Sequence, residues 1–173
     1  MNVDRGLEEA IAAMKLVRSN AVLVIAGTGD IIAKLRDLVA AENLGDRVIL
    51  TGQIPFQELP AYTAMADLGL SVEKEVGVNY QNCLPNKFLD YIQAGVPVLV
   101  TPFPEMKQIV DQYNIGGFID SHEPARLAQR FDEMLADEAM AATYRANLRQ
   151  ASADLCWENE SAVLTGLVSR IQP

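Results

Sequence analysis

Apolar positions along the chain follow two alternating periods. Leu7, Ala10, Ile11, Met14 and Val17 recur at spacings of three and four, which predicts a helix with one apolar face, and Asp4 stands where an N-cap is wanted. "AVLVIAG" at 21–27 then runs apolar almost without a break, the pattern of a short buried strand. The step repeats: Asp30 opens a second helical pattern carried by Ile31, Leu35, Leu38 and Val39, and the strand "RVILTG" follows at 47–52. A short helix bounded by Pro55 lies in "IPFQELPAYTAMA", "DLGLSV" at 67–72 reads as a strand, and an irregular loop runs from Glu73 to Cys83. Pro85 suits a first helical turn, Gly95 a helix end, and "VPVLV" at 96–100 a strand apolar on both faces. A helix near Glu105 to Tyr113 and the short strand "GGFID" complete the series, and from Glu123 onward the pattern is helical throughout.

Alternation of this kind requires right-handed crossovers that cover both faces of a parallel sheet. The fold class is therefore α/β, a Rossmann-like doubly wound parallel sheet with a helical C-terminal segment. No linker, repeat or low-complexity tract divides residues 1–173, which read as a single domain. In open sheets of this class ligands bind beyond the carboxyl ends of the strands. Here that edge consists of the turns at Gly27, Gly52, 73–83 and Thr101–Pro104.

Composition narrows the function classes. Half of the 173 residues are hydrophobic, and 14 basic against 23 acidic residues leave a net charge of −9 with no basic run. Nucleic acid and anionic membrane are disfavoured as main partners, although a local phosphate pocket is compatible with this charge. No segment approaches the ~20 apolar residues of a membrane span, and "MNVDRGLEEA" lacks a signal-peptide core. The expectation is a soluble, cytoplasmic chain. Cys83 and Cys156 form no CxxC pair and have no nearby His, so both are expected to be reduced and structural.

Several stretches carry candidate chemistry. "GTGD" at 27–30 lies between a strand and a helix, where Gly27 and Gly29 could bring backbone N–H groups to a phosphate or could simply make a tight turn. The third glycine of a dinucleotide fingerprint would fall at Ile32, which disfavours NAD. Gly52 opens a similar turn. On the helix at 84–94, Phe88, Leu89 and Ile92 make an apolar side, while Asn86, Lys87 and Asp90 share a polar edge. That edge is either a solvated face or a binding surface: Lys87 and first-turn N–H groups suit phosphate, and a carboxylate one turn on can accept two hydrogen bonds from vicinal hydroxyls. His122 in "SHEP" reads as a surface loop residue, and Trp157 as an anchor for the last helix.

Taken in order, "DRGLEEAI", "VLVIAGTGD", "RVILTGQIPFQELPAYTAMADLGLSV" and "LPNKFLDYIQAGVPVLVT" resemble the C-terminal, donor-binding half of GT-B glycosyltransferases, specifically family 4 (glycosyl transferases group 1). The resemblance extends to the strand at Phe118. It implies one half of a GT-B fold that binds a nucleotide-diphospho-sugar and, with its other half, transfers the sugar to an acceptor with retention and without a metal or other cofactor. Position by position, it implies that Asp90 holds the ribose hydroxyls, where the family more often has Glu. Arg5 and Lys87 would stabilise the departing diphosphate. Backbone at Gln53 and Ile54 would meet the base, and the loop through Leu84 and Pro85 the phosphate and sugar, with Asn82 and Asn86 beside them.

Two departures from the family pattern accompany this. The paired-glutamate motif would place another Glu at position 82, where Asn82 stands, so the sugar-proximal carboxylate is absent or supplied by Glu73 or Glu75. The family also has a strand ahead of "RGLE" and a whole acceptor-binding domain before it. The first sheet strand is expected to be truncated, leaving a slot that closes by rearrangement, is filled by another chain to make a dimer, or destabilises the domain. Any membrane association would belong to the other half. The alternatives are a sugar-nucleotide 2-epimerase half-domain and a non-catalytic α/β interaction module.

Overall fold

The computed structural model describes residues 5–75, 77, 82 and 84–169. Asp4, Cys83 and most of the loop at 76–83 lie outside the described residues, as do the last four positions. The element order is α1 (Leu7–Met14), β1 (Leu23–Ala26), α2 (Ile32–Ala41), β2 (Val48–Gly52), α3 (Leu59–Ala64), β3 (Gly69–Ser71), α4 (Asn86–Ala94), β4 (Val98–Val100), α5 (Pro104–Tyr113), β5 (Gly116–Phe118), α6 (Pro124–Ala136), α7 (Glu138–Asp154) and α8 (Trp157–Ser169).

All observed pairings are parallel, as the alternation predicts, but the strands form two sheets. β1 pairs with β2, and β3–β4–β5 form the other in that order. Among the described residues no strand lies between β1 and β3. The slot expected from the truncated first strand is therefore not closed by pairing of β1 with β3.

β4 shows why the second sheet needs two helical layers. Its three residues are fully buried, with Leu99 facing one apolar cluster and Val98 and Val100 the other. This is the period-two alternation of a strand covered on both sides. The first cluster joins Ile11 and Met14 of α1, Leu35 of α2, Val48 of β2 and Leu127 and Phe131 of α6. The second packs Phe88 and Ile92 of α4 against Met106 and Val110 of α5 and Leu148 of α7. Arg47 ties the α1–β1 connection to the start of β2: its guanidinium donates to the carbonyls of Met14, Val17, Ser19 and Ala21.

β1 differs from the buried strand that "AVLVIAG" suggests. Only Ile25 is buried, while Val22 and Val24 are about half exposed, as is Ile49 opposite Val24 on β2. One face of this small sheet is packed by α1 and α2 and the other is open. Three further differences are local. α2 starts at Ile32 without a side-chain cap from Asp30. Pro85 is the N-cap of α4 and not within its first turn. Trp157, 69 % exposed, does not anchor α8.

α1 meets the second sheet at one point of close approach. Gly6 caps it with φ 72°, and a Cβ there would lie 2.1 Å from the Val72 carbonyl oxygen. Glycine alone satisfies both the left-handed backbone and that distance. The entry to α1 is thereby fixed against the carboxyl end of β3.

The free edge of β1 makes a testable pattern. Leu23 N–H donates to Arg47 and Gly27 N–H to Gly52, so by strand alternation Ile25 also faces β2, while Val24 and Ala26 face away. Amide hydrogen exchange should be fast at Val24 and Ala26, slower at Leu23 and Ile25, and slowest at Leu99. Equal protection at Val24 and Ile25 would show that the outer edge of β1 is paired.

Candidate functional site

Three chain segments converge where β3 ends. Val72 and Glu73 follow the strand directly, Arg5 precedes the cap of α1, and Lys87 is in the first turn of α4. The Glu73 carboxylate is closed off from solvent. Its Oε2 accepts the Ser71 hydroxyl at 2.9 Å. Its Oε1 lies 2.8 Å from Lys87 Nζ and 3.5 Å from an Arg5 guanidinium nitrogen. No hydrogen bond of good geometry reaches Oε1, so that oxygen depends on the two cations.

The backbone beneath this carboxylate is held as well. Thr101 Oγ1 donates to the Glu73 carbonyl at 2.7 Å. His122 Nε2 is 3.0 Å from the Val72 carbonyl oxygen and 3.2 Å from that of Glu73. Two carbonyl acceptors require the proton on Nε2. His122 is thus a half-buried tie across the end of β3, and not the surface loop residue that "SHEP" suggests.

The resulting geometry separates the residues of the polar edge. Lys87 turns to Glu73, and Asp90, one turn further along α4, makes no ion pair among the described residues. Asp90 is exposed at the surface, and partial desolvation by the atoms around it raises its carboxyl above the ordinary value of 3.8. Beside it, Tyr91 crosses the start of β3. Gly69 permits this, since a Cβ there would lie 2.4 Å from the ring. Desolvation raises the Tyr91 phenol, opposed by the Leu70 amide and assisted by the charges of Glu73 and Asp90.

The remaining sequence candidates lie at neighbouring strand ends. Gly27 and Gly29 follow β1, and Gln53 and Ile54 follow β2. The Gly27 N–H donates to the Gly52 carbonyl at 2.7 Å. That bond joins the two turns, and it also occupies the Gly27 amide that a phosphate would have used. Gln53 is exposed and Ile54 half buried. Asn82, Leu84 and Asn86 are exposed around the half-buried Pro85, before and at the start of α4.

Glu73 does not serve as the exposed, sugar-proximal carboxylate that position 82 lacks, because it is buried behind Arg5 and Lys87. Its position in "SVEK" does carry a signal: Ser and Glu two apart at the end of a buried strand point to the same side. The partners on α1, α4 and the loop at His122 have no such local sign. Two open grooves of about 630 and 740 Å³ are present, one beside Arg36, Asn43 and Asp46, the other next to the cluster between Glu8, Lys34, Lys74 and His122. Neither includes Lys87 or Asp90. Among the described residues no group of three or more His, Cys, Asp or Glu is placed to hold a metal ion. No helix among them is long and apolar enough to cross a membrane.

Comparison with known proteins gives one consistent family. The profile described as "Glycosyl transferases group 1" matches residues 2–152. The GDP-mannose-dependent alpha-(1-6)-phosphatidylinositol monomannoside mannosyltransferase of Mycobacterium tuberculosis is 28 % identical over 165 residues, which are 92 % of this chain and 43 % of that protein. Among solved structures, a sucrose-phosphate synthase from Thermosynechococcus elongatus superposes with a TM-score of 0.78 at 24 % identity, over 98 % of this chain and 43 % of that one. Anabaena Alr3699/HepE, solved in complex with UDP, gives 0.81 at 16 % identity, over 97 % and 46 %. The chain thus spans less than half the length of each of these proteins.

The raised Asp90 carboxyl sets a stability test. Below its ordinary value the group is neutral in both folded and unfolded states. As pH rises above that value, ionisation costs the folded state more than the unfolded one. Asp90→Asn should therefore raise the thermal midpoint of the ligand-free protein at pH 7, and the gain should vanish as pH falls below the ordinary carboxylate range. Thermal melts from pH 3 to 7 measure this. A loss of stability at neutral pH would mean that an attractive partner holds the carboxylate.

Proposed function

Because the chain belongs to the glycosyl transferases group 1 family, we propose that it forms the donor-binding half of an enzyme that transfers a sugar from a nucleotide-diphospho-sugar to an acceptor. The observation that carries this reading is the convergence of Arg5 and Lys87 at the carboxyl end of β3, with Asp90 one turn beyond. A diphosphate lying over the cations would place its ribose toward Asp90. Ionised Asp90 can accept from two vicinal hydroxyls, and the energy gained there compensates for holding a carboxylate in a partly desolvated place.

In the chemical step, the bond from the sugar to the terminal phosphate oxygen breaks and negative charge develops on the departing nucleoside diphosphate. Arg5, Lys87 and the N-terminal N–H groups of α4 are fixed in advance to stabilise that charge. They supply the electrostatic role that a metal ion fills in other phosphate chemistry, so the reading needs no metal or cofactor. Backbone at Gln53 and Ile54 would meet the base and the loop through Leu84 and Pro85 the phosphate and sugar, with Asn82 and Asn86 beside it and the turn at Gly27 and Gly29 at a neighbouring strand end. The acceptor, and any contact with a membrane, belongs to the other half of such an enzyme.

The family match and the mannosyltransferase relative both favour a transferase. They give no support to the epimerase or the interaction-module reading. As for the nucleotide, one relative's name specifies GDP-mannose and one solved neighbour holds UDP. A calorimetric titration against UDP-, GDP-, ADP- and CMP-sugars tests donor binding and base together.

Within that titration, Asp90→Ala should weaken nucleoside diphosphate binding by about ten- to hundredfold, the loss of two charge-assisted hydrogen bonds. Removing the ribose 2′-hydroxyl from the ligand should weaken wild-type binding in the same direction. Lys87→Ala and Arg5→Ala should weaken diphosphates more than nucleosides, with a steeper salt dependence. If no sugar nucleotide binds, the donor-site reading is wrong. If Asp90→Ala binds as well as wild type, α4's polar edge is solvated surface.

A further inference from the structure

Glu73 is the one fully buried carboxylate of the ionic cluster, and the chemistry above gives it no contact with a ligand. We propose that Glu73 is a positioning residue: its carboxylate holds Lys87 and Arg5 in register so that their exposed sides meet the two phosphates of a nucleoside diphosphate together. This deepens the donor-site reading and rests on it.

Three observations favour this role. First, the carboxylate is held from one side. Ser71 fixes one oxygen, and Thr101 and His122 fix the backbone beneath it. Second, the layers are ordered. The Glu73 side chain is 1 % exposed, while those of Lys87 and Arg5 are 34 % and 33 % exposed, so the carboxylate is the inner group and the cations the outer ones. Third, the two cations come from separate segments, before α1 and on α4, and Glu73 Oε1 is the atom both approach.

A free lysine or arginine has many rotamers, and binding a phosphate with one requires that freedom to be given up. Holding both side chains beforehand removes that cost from the binding step. Protein kinases use the same device, where a glutamate pairs with the lysine that contacts ATP phosphates. An opposing effect exists. Removing a negative charge behind the cations raises the local positive potential and by itself would tighten anion binding. The two effects have opposite signs, so a single substitution distinguishes them.

The test uses Glu73→Gln in the full chain, which keeps the volume and an acceptor for Ser71 but removes the charge. UDP and GDP are titrated, with uridine and guanosine as controls. The expected result is about tenfold weaker diphosphate binding with nucleoside binding changed less than twofold. Glu73→Gln added to Lys87→Ala should weaken diphosphate binding by less than in the wild-type background, because one of the two cations through which Glu73 acts is already gone. Should Glu73→Gln fail to fold, Ser71→Ala loosens the carboxylate without removing it, and the same split should appear with smaller size. Equal losses for nucleoside and diphosphate would assign Glu73 to general stability. Unchanged or tighter diphosphate binding would make it only a counter-ion. Either result overturns the inference while leaving donor binding intact, whereas failure of wild type to bind UDP or GDP removes the donor site itself.

Discussion

An isolated carboxylate deprived of water costs a protein several kcal/mol, and Glu73 is deprived of it completely. The cost is met by drawing together groups that are far apart in sequence. Arg5 and Lys87 supply charge, and Ser71 supplies a hydrogen bond. Thr101 and His122 keep the backbone from moving away. Each partner sits at a junction: before α1, at the end of β3, in the first turn of α4, just after β4, and just before α6. The cluster therefore sets where the helices begin relative to the sheet, and it does so at the edge where parallel α/β proteins bind ligands.

The two sheets follow from a different constraint. A parallel strand needs a crossover on each side, and α1 begins against Val72 because Gly6 permits a contact that no other residue would. Its C-terminal end leads to β1, which pairs with β2 and not with the β3–β4–β5 sheet. The apolar core bridges the gap from one side, since Ile25, Val48, Val72 and Leu99 share a cluster. On the other side Val24 and Ile49 remain half exposed. Among the described residues the two hydrogen-bonded ladders are therefore joined through the side chains of that cluster.

How much of this was legible depends on whether a feature is local. The helices and strands were, because periods of 3.6 and 2 are written into short windows: β4 reads as buried on both faces and is. The strand β1 has the same apolar composition, yet Val24 is exposed, since burial depends on what packs over the strand and composition cannot report that. The site divides in the same way. Lys87 and Asp90 were visible as neighbours on one helix, and their order on α4 holds. That Lys87 would turn to Glu73 depends on β3 ending beneath it. His122 read as surface for the same reason, because its carbonyl partners are some fifty positions earlier in the chain. Trp157 shows the converse error: a large aromatic was expected to bury itself, and no neighbouring element offers it a place.

A chain with a net charge of −9 is an unpromising receptor for a diphosphate if charge is counted over the whole molecule. The count that matters is local. At physiological ionic strength charges beyond about 8 Å in water are largely screened. Among the described residues of the cluster, the two cations Arg5 and Lys87 both approach one buried carboxylate and are each more exposed than it is. The negative member is buried behind the positive ones, so an approaching anion meets Arg5 and Lys87 before it feels Glu73. The first-turn N–H groups of α4 add to the same side. Asp90 stands a turn further along α4, outside the ionic cluster itself. On the proposed reading the arrangement would separate the two demands of a nucleoside diphosphate, charge at one end and hydroxyl recognition at the other, along one short helix. On the proposed reading the base would be met by backbone at Gln53 and Ile54, just after the turn that the Gly27 amide holds through the Gly52 carbonyl.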